Sequence, residues 1–198
     1  MVEYKKPGGR EGRNYTRTEE SAVDYPNRKP IRLTEYDYAS PGAYFVTVCT
    51  HERRCILSRI DVGEGLAPPV VTLTPIGQCV EEQIRALPLR YPSVQIDSYI
   101  IMPNHIHLIV TLRETAGGAS PSPTSEDLGQ QHSPALFDVI RVLKSLTTRL
   151  SRDKLGSLPL WQRSYYEHII RNEADYRQIG DYIASNPGKW AEDRYYLS

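Results

Sequence analysis

The sequence predicts one α+β domain whose elements follow the order strand, helix, strand, strand, helix, strand, helix. Runs rich in β-branched and aromatic residues mark the strands, and apolar residues at helical spacing mark the helices. Two of the strands are separated by so few residues that we expect them to pair as an antiparallel hairpin. This order predicts an antiparallel sheet with helices packed against it.

The first strand is Ala43–Thr50, a β-rich run that follows a proline-glycine turn. The stretch Asp61–Pro69 is predicted to be irregular. The first helix then extends from Pro75 to about Leu87, with Thr74 as its N-cap. The apolar stripe of this helix consists of Ile76, Val80, Ile84 and Leu87. Pro88 and Pro92 are predicted to end the helix.

The second and third strands are Val94–Met102 and His105–Leu112. Pro103 and Asn104 between them are typical turn residues, so the two strands form the predicted hairpin. The third strand therefore begins beside the turn, at His105.

The second helix is predicted to have Ser133 as its N-cap and Pro134 at its first position, and to end near Lys154. Its buried stripe consists of Leu136, Ile140, Leu143, Leu146 and Leu150. A second, polar and basic stripe consists of Arg141, Lys144, Thr148 and Arg152. That stripe suits contact with phosphates, and a solvated helix face explains the same spacing equally well.

The fourth strand is Trp161–Arg171, and the last helix begins at Asn172 with Asp175 as a capping partner. It is expected to stop at Asn186 because a residue that precedes proline avoids the helical region. The helix is predicted to run through Tyr176, Ile179, Tyr182 and Ile183. The complete order is a ferredoxin-like βαββαβ core plus a C-terminal helix. Helices cover one sheet face, and we expect the other face to be free to bind a ligand.

The flanking segments have a different composition. Residues 1–30 are rich in charged residues, Gly and Pro and predict a flexible basic arm that could contact a phosphate backbone. Residues 115–132 form a low-complexity segment, predicted to be a mobile linker. A single domain is expected over residues 31–190, followed by a tail over 191–198.

The 198 residues carry 24 basic and 24 acidic side chains, so any surface that binds nucleic acid must be local. Three cysteines without CxxC spacing argue against a disulfide framework and against a cysteine zinc site. No apolar run reaches transmembrane length, and the first residues do not resemble a signal peptide. We therefore expect a soluble, cytoplasmic protein without a membrane partner.

His105-Ile106-His107 opens the third strand. Residues two apart on a strand point to the same face, so both imidazoles project together while Ile106 faces the other way. Two neutral imidazoles on one rigid face are two-thirds of a metal-binding triad. The alternative is a pair of ordinary polar residues on the solvated face of a sheet.

Tyr182 and Asn186 are four residues apart on the last helix and share a face. Taken singly, they could be a half-buried aromatic residue and a helix-stop residue. Joined to His105 and His107, they form a set of two imidazoles, one amide oxygen and one hydroxyl nucleophile. Such ligands would bind a divalent cation with coordination sites left open, and the cation could polarise a phosphodiester oxygen.

The pattern of His105-Ile106-His107 is the histidine–hydrophobe–histidine (HUH) motif. Together with Trp161–Arg163, Tyr166–Asn172 and Asp181–Pro187, it resembles the REP-associated tyrosine transposases, a branch of the single-tyrosine HUH transposases. The resemblance extends from Arg28 to Trp190. The joint motif set is specific, whereas His-Ile-His alone is a weak signal.

This resemblance implies that Tyr182 attacks a phosphodiester of single-stranded DNA and leaves a 5′-phosphotyrosine and a free 3′-hydroxyl. His105, His107 and Asn186 would hold Mg²⁺ or Mn²⁺. The expected activity is cleavage and strand transfer at palindromic repeat hairpins, in DNA transposition or repeat processing. Competing nucleophiles, none with an asparagine four residues later, are Tyr165, Tyr166 and Tyr176.

Weaker predictions concern DNA contacts and motif residues. The candidate DNA contacts are Arg141, Lys144 and Arg152, on phosphates, and Trp161, on an unpaired base. Glu167 and His168 are motif residues without an assigned role. They alternate across a strand, so only one of them can face the site.

Two alternatives of function stay open. One is a catalytically silent regulator that binds DNA hairpins, although the intact histidine pair, Tyr182 and Asn186 argue against it. The other is an HUH replication initiator or relaxase, whose usual accessory domains have no room in 198 residues. A monomer and a homodimer are both compatible with the sequence.

Overall fold

The computed structural model describes residues 36–61, 68–114, 134–156 and 158–196, which belong to a unit that spans Ile31–Ser198. The predicted arm (1–30) and linker (115–132) lie outside these described residues. The strands are β1 (Gly42–Cys49), β2 (Ser58–Asp61), β3 (Val70–Leu73), β4 (Val94–Ile101), β5 (His105–Leu112) and β6 (Tyr166–Ile170). The helices are α1 (Pro75–Arg90), α2 (Leu136–Leu150), α3 (Arg152–Leu155) and α4 (Glu173–Ser185).

The main sheet has four strands in the order β4-β5-β1-β6, and every neighbouring pair is antiparallel. This is the strand order of a ferredoxin-like βαββαβ core. The hairpin of β4 and β5 is confirmed. Its register places His107 opposite Thr47 of the central strand β1, and His105 opposite Cys49.

Helices α1 and α2 cover one face of this sheet. Alternate residues of β5, including Ile106 and Leu108, enter the core on that side because side chains alternate across a strand. The buried helix residues that meet them are Ile76, Val80, Ile84 and Leu87 of α1, and Leu136, Val139, Ile140 and Leu143 of α2.

The opposite sheet face is partly covered, contrary to the prediction that it is free. Ile183 of α4 packs against Phe45 of β1 and Ile109 of β5 in a second buried cluster. The apolar side of α4 gains from burial against these strands, and this packing fixes the helix beside the two histidines.

The first half of the chain contains one pair of strands that was not predicted, and one prediction, the end of the first helix, is wrong. Residues 62–67, the middle of the stretch predicted to be irregular, lie outside the described residues. The strands β2 and β3 pair as an antiparallel ribbon on either side of the stretch predicted to be irregular. Helix α1 continues through Pro88 to Arg90. A proline in the last turn removes only one intrahelical hydrogen bond, and the backbone N–H of Tyr91 still bonds to the Leu87 carbonyl.

Helix α2 also differs from its prediction. It begins at Leu136 with Ala135 at the N-cap and without a side-chain cap bond, and it is interrupted at Ser151 before α3. Thr147 is buried on its inner face, whereas Leu150, predicted to be buried, is 47% exposed. The predicted cap Ser133 lies outside the described residues.

Helix α4 begins as predicted, but the chain does not leave the helical region at its end. Asn172 caps α4 by accepting the backbone N–H of Asp175 at 2.9 Å. Asn186 keeps a helical backbone (φ −57°, ψ −41°) although Pro187 follows it. The chain therefore turns directly into a 3-10 helix, Asn186–Glu192. The strand predicted at Trp161–Arg171 is shorter, because Trp161 makes only an isolated bridge with Thr50.

All three cysteines are free, as predicted. In the described ranges, no helix is long and apolar enough to cross a membrane.

Gly77 in the first turn of α1 is expected to tolerate no side chain. A Cβ atom there would lie 2.0 Å from the carbonyl oxygen of Leu57. That oxygen accepts hydrogen bonds from the N–H and the hydroxyl of Thr74, the helix cap, so it has little freedom to move. We expect Gly77→Ala to lower the free energy of unfolding by about 3 kcal/mol or more, measured by urea denaturation.

Gly180 provides the matched control. It lies inside α4, and a Cβ atom there would meet nothing within 4 Å. Gly180→Ala is therefore expected to raise stability by up to about 1 kcal/mol. Equal stability of the two variants would contradict the proposed clash at Gly77.

Candidate active site

His105 and His107 lie side by side on β5, on the sheet face that α4 partly covers. Both side chains are fully buried, with 0% exposure. Their Nε2 atoms are 3.0 Å apart. The predicted projection of both imidazoles from one face is therefore confirmed.

The outer nitrogens of both rings are held by neighbouring side chains. His105 Nδ1 lies 2.8 Å from Asn104 Oδ1, and the Asn104 amide is oriented by its Nδ2, which donates to the Tyr195 carbonyl at 2.7 Å. Nδ1 of His105 is therefore the donor, and its Nε2 carries a lone pair. Nδ1 of His107 bonds to the Thr47 hydroxyl at 2.8 Å, which can hold the same tautomer.

Burial keeps both imidazoles neutral. It lowers the pKa of His105 to about 4, with Asp193 opposing the shift, and it lowers the pKa of His107 well below its ordinary value. A neutral imidazole with a free lone pair is the form that binds a metal ion.

Tyr182 on α4 contacts this pair from the helix that packs on the same sheet face. Its hydroxyl lies 3.3 Å from Nε2 of His107, while the side chain remains 39% exposed. Burial and the charge of Asp193 raise the pKa of Tyr182, whereas Arg194 and a hydrogen bond from Asn186 act to lower it. The hydroxyl is thus protonated at neutral pH, beside an acceptor for its proton.

Asn186, one helical turn after Tyr182, is buried with only 3% exposure. Its Oδ1 has no hydrogen-bond partner within the described part of the chain. An unpaired buried acceptor is costly, and a cation would satisfy it. Its role as a ligand stays a prediction.

Asp193 joins the histidines although it was placed in the predicted tail. Its Oδ2 lies 4.0 Å from Nε2 of His105, and its side chain is only 3% exposed. Ligand atoms of His105, His107 and Asp193 all lie within 4.8 Å of one another. Oδ1 of the same carboxylate accepts the backbone N–H of Tyr195 at 2.6 Å, which orients it. No local spacing signals this residue, because it enters the site only through the turn at Asn186.

This donor set fits a divalent cation. The Nε2 lone pair of His105, the Asp193 carboxylate and the unpaired Asn186 oxygen are acceptors without a proton to share. Neutral imidazoles and carboxylates are common ligands of divalent metal ions.

Aromatic residues of the C-terminal segment enclose the pair. The ring of Tyr195 lies 4.6 Å from that of His105, and Trp190 lies 6.1 Å from it. The Arg194 guanidinium stacks over Tyr195 and Tyr166 at 4.7 and 5.5 Å. A cavity of about 230 Å³ beside this segment is lined by Tyr182, Asn186 and Asp193 among others.

The predicted DNA contacts lie on the other side of the sheet. Arg141 is paired with Asp138 at 2.7 Å. Lys144 is half-buried and donates to the carbonyls of Gln162 and Arg163. Trp161 is 6% exposed and donates to the Thr147 hydroxyl at 2.8 Å, so its ring does not project as a stacking platform. Arg152 is exposed.

Glu167 and His168 face opposite sides of β6, as strand alternation predicts. His168 pairs with Phe45, on the side of the histidine site, and bonds to Asp175 at 2.9 Å. Glu167 pairs with Val46 and is buried on the helix-covered side.

The chain is similar to known proteins in sequence and in fold. No protein-family model matches the chain. An uncharacterized protein of Haemophilus influenzae is 34% identical over 175 residues, which are 86% of this chain and 94% of that protein. A protein of Escherichia coli named REP-associated tyrosine transposase is 30% identical over 95 residues, 48% of this chain and 45% of that protein. A solved REP-associated tyrosine transposase, bound to a REP hairpin, has a TM-score of 0.53 at 24% identity and covers 82% of this chain and 76% of its own.

The fold is transposase-like, with an antiparallel sheet and helices as in the solved transposase. The chain belongs to one family with the Haemophilus protein. It is related to the REP-associated tyrosine transposases in partial sequence and in fold, which confirms the resemblance predicted from its motifs.

Proposed function

We propose that this protein is a metal-dependent endonuclease and strand transferase for single-stranded DNA. The observation that carries the proposal is the meeting of two imidazole Nε2 atoms, 3.0 Å apart, with a tyrosine hydroxyl 3.3 Å from one of them. A nucleophile and a set of metal ligands thus share one small, largely buried volume. This combination suits phosphodiester cleavage through a covalent tyrosine intermediate with the help of a metal ion.

His105, His107 and Asp193 would hold the metal ion, Mg²⁺ or Mn²⁺, with Asn186 as a further ligand. Such an ion offsets the charge that develops on a phosphodiester during its cleavage. The hydrogen bonds of Asn104 and Thr47 to the outer imidazole nitrogens orient the rings, as second-sphere partners of metal-binding histidines do.

Tyr182 would be the nucleophile. The hydroxyl proton leaves Tyr182, and the tyrosine oxygen forms a bond to phosphorus while the bond from phosphorus to the 3′ oxygen breaks. The departing 3′ oxygen takes up a proton in exchange. The products are a 5′-phosphotyrosine and a free 3′-hydroxyl. Because Tyr182 lies against His107 of its own chain, one chain supplies the whole set of groups, which supports action by a monomer.

Single-stranded DNA with palindromic repeat hairpins is the proposed substrate. Support comes from the relatives, one of which is named for association with REP sequences and one of which was solved bound to a REP hairpin. A silent hairpin-binding regulator is the second candidate, and the full burial of both histidines is compatible with it.

The wild-type protein separates these candidates directly. The probe is a library of single-stranded oligonucleotides in which a fixed hairpin is flanked by random nucleotides, labelled at either the 3′ or the 5′ end. With Mn²⁺, we expect the 3′ label to become attached to protein under denaturing conditions and the 5′ label to appear on a shorter free strand. EDTA should prevent both.

A band shift under native conditions without any covalent product would identify a silent regulator. Retention of the 5′ label on the protein would contradict the proposed polarity of attack.

A further inference from the structure

A cationic recess lies on the helix-covered side of the protein, away from the histidines. The C-terminal half of α2 forms one wall, and residues 159–163 form the other. Its volume is about 470 Å³. Its lining includes Lys144, Arg149, Arg152, Trp161, Gln162 and Arg163.

The charge of this recess is one-sided. Four of its lining side chains are cationic, and no carboxylate is among the described residues that line it. The whole chain has a net charge of +0, so this is a local concentration of positive charge. Arg149, Arg152 and Arg163 are exposed, and none forms an ion pair with a described carboxylate. Unpaired exposed arginines are available to a phosphate.

The walls of the recess are held in place by hydrogen bonds, of which the one between Trp161 and Thr147 is buried. Lys144 Nζ donates to the carbonyls of Gln162 and Arg163 at 2.7 and 2.9 Å. The indole N–H of Trp161 donates to the Thr147 hydroxyl. The backbone N–H of Gln162 bonds to the Cys49 carbonyl at 2.9 Å. The arginines therefore project from a pre-formed scaffold, which lowers the cost of binding.

Gln162 links the recess to the catalytic face, because it lines cavities on both sides. That residue also lines a second cavity, of about 250 Å³, together with Thr47, Tyr166 and Tyr195. Thr47 bonds directly to His107. The segment 162–164 thus contributes residues both to the cationic recess and to the cavity beside Thr47.

We propose that this recess binds backbone phosphates of the same DNA strand that Tyr182 attacks, after the strand has passed over Gln162. The inference rests on the proposed function, since it takes the strand on the catalytic face as its starting point. Its contacts are electrostatic and independent of base sequence. The recess would hold the flanking strand in place while its end is covalently attached.

The test compares two triple variants that lose the same charge. One is Arg149→Gln, Arg152→Gln and Arg163→Gln in the recess. The matched control is Arg59→Gln, Arg90→Gln and Arg171→Gln, at exposed positions that line none of the cavities described above. Both are measured by fluorescence anisotropy, over a series of NaCl concentrations, with oligothymidylates of about 30 and about 8 nucleotides.

For the long oligonucleotide, we expect the recess variant to bind about 10-fold more weakly and to lose about 2 from the slope of log K against log salt. The short oligonucleotide and the control variant should change little. Equal behaviour of the two triple variants, or an equal loss for both lengths, would overturn the inference. The single variant Arg152→Gln carries less risk to folding and should lose about 0.7 from the same slope, as expected for one phosphate contact.

These measurements need no cleavage, so the two proposals can fail separately. A protein that binds through the recess but forms no covalent product would refute the proposed function alone. A protein that cleaves DNA, with no difference between the triple variants, would refute the recess alone.

Discussion

Tyr182→Phe is expected to reduce covalent attachment to single-stranded DNA at least about 1000-fold, because it removes the attacking oxygen. The ring can stay where it is. It packs edge-on against Phe45, with centroids 6.0 Å apart, and beside His107 at 5.2 Å. Phenylalanine keeps both contacts, so the variant should fold and bind DNA normally. Attachment of a 3′-labelled hairpin oligonucleotide in Mn²⁺ is the measurement.

Tyr166→Phe is the matched control. Tyr166 is 43% exposed, and its ring also lies against Phe45, at 6.4 Å. It is one of the tyrosines that compete for the role on sequence grounds. The Tyr166 variant should attach DNA as the wild type does. Attachment that survives in Tyr182→Phe and disappears in Tyr166→Phe would transfer the role of nucleophile to Tyr166.

The surroundings of Tyr182 explain why its hydroxyl needs help. Burial raises its pKa above the ordinary value, so the phenolate is scarce at neutral pH. The nearest acceptor for its proton is Nε2 of His107, which is itself neutral. A cation held by the same nitrogen would compete for that lone pair and favour the phenolate instead. The rate of attachment should therefore depend on the cation as well as on the tyrosine.

The central features of the fold were predictable because they follow from local chemistry. Strand alternation puts His105 and His107 on one face whatever surrounds them, and Thr74 and Asn172 cap their helices as their side chains favour. The ribbon of β2 and β3 was not predictable in the same way. Each of its strands has 4 residues, too few for a periodic pattern to emerge.

At the turn after α4, tertiary packing overrides the local conformational preference of the backbone. Asn186 precedes Pro187 and was expected to leave the helical region, yet it is buried with helical dihedral angles. Packing on the sheet outweighs the local steric cost there, and Pro187 fits the first turn of the following 3-10 helix. This turn carries the chain back to the histidines, so the position of Asp193 depends on a feature that sequence rules alone predict wrongly.

A substitution of Asp193 therefore distinguishes two possible sets of metal ligands, in which His105 and His107 are joined either by Asp193 or by Asn186. Asp193→Asn is expected to weaken Mn²⁺ binding about 100-fold, because a neutral amide replaces a nearly buried carboxylate beside the ion. His107→Asn should weaken it more, by about 1000-fold or beyond, since it removes an imidazole at the centre of the group. Titration calorimetry of the chelator-treated protein measures both, and thermal unfolding verifies that the variants fold.

Glu192→Gln is the control for charge, since it removes one carboxylate from the neighbouring residue, which lines the same cavity as Asp193 but lies outside the histidine group. It should leave Mn²⁺ affinity nearly unchanged, because an exposed charge is screened by solvent. Asn186→Ala completes the comparison. If Asn186→Ala weakens binding and Asp193→Asn does not, the ligands are His105, His107 and Asn186, as the motif alone implies. A large loss in Asp193→Asn would instead make the C-terminal segment part of the metal site, and binding of the ion would then tie this segment to the catalytic face.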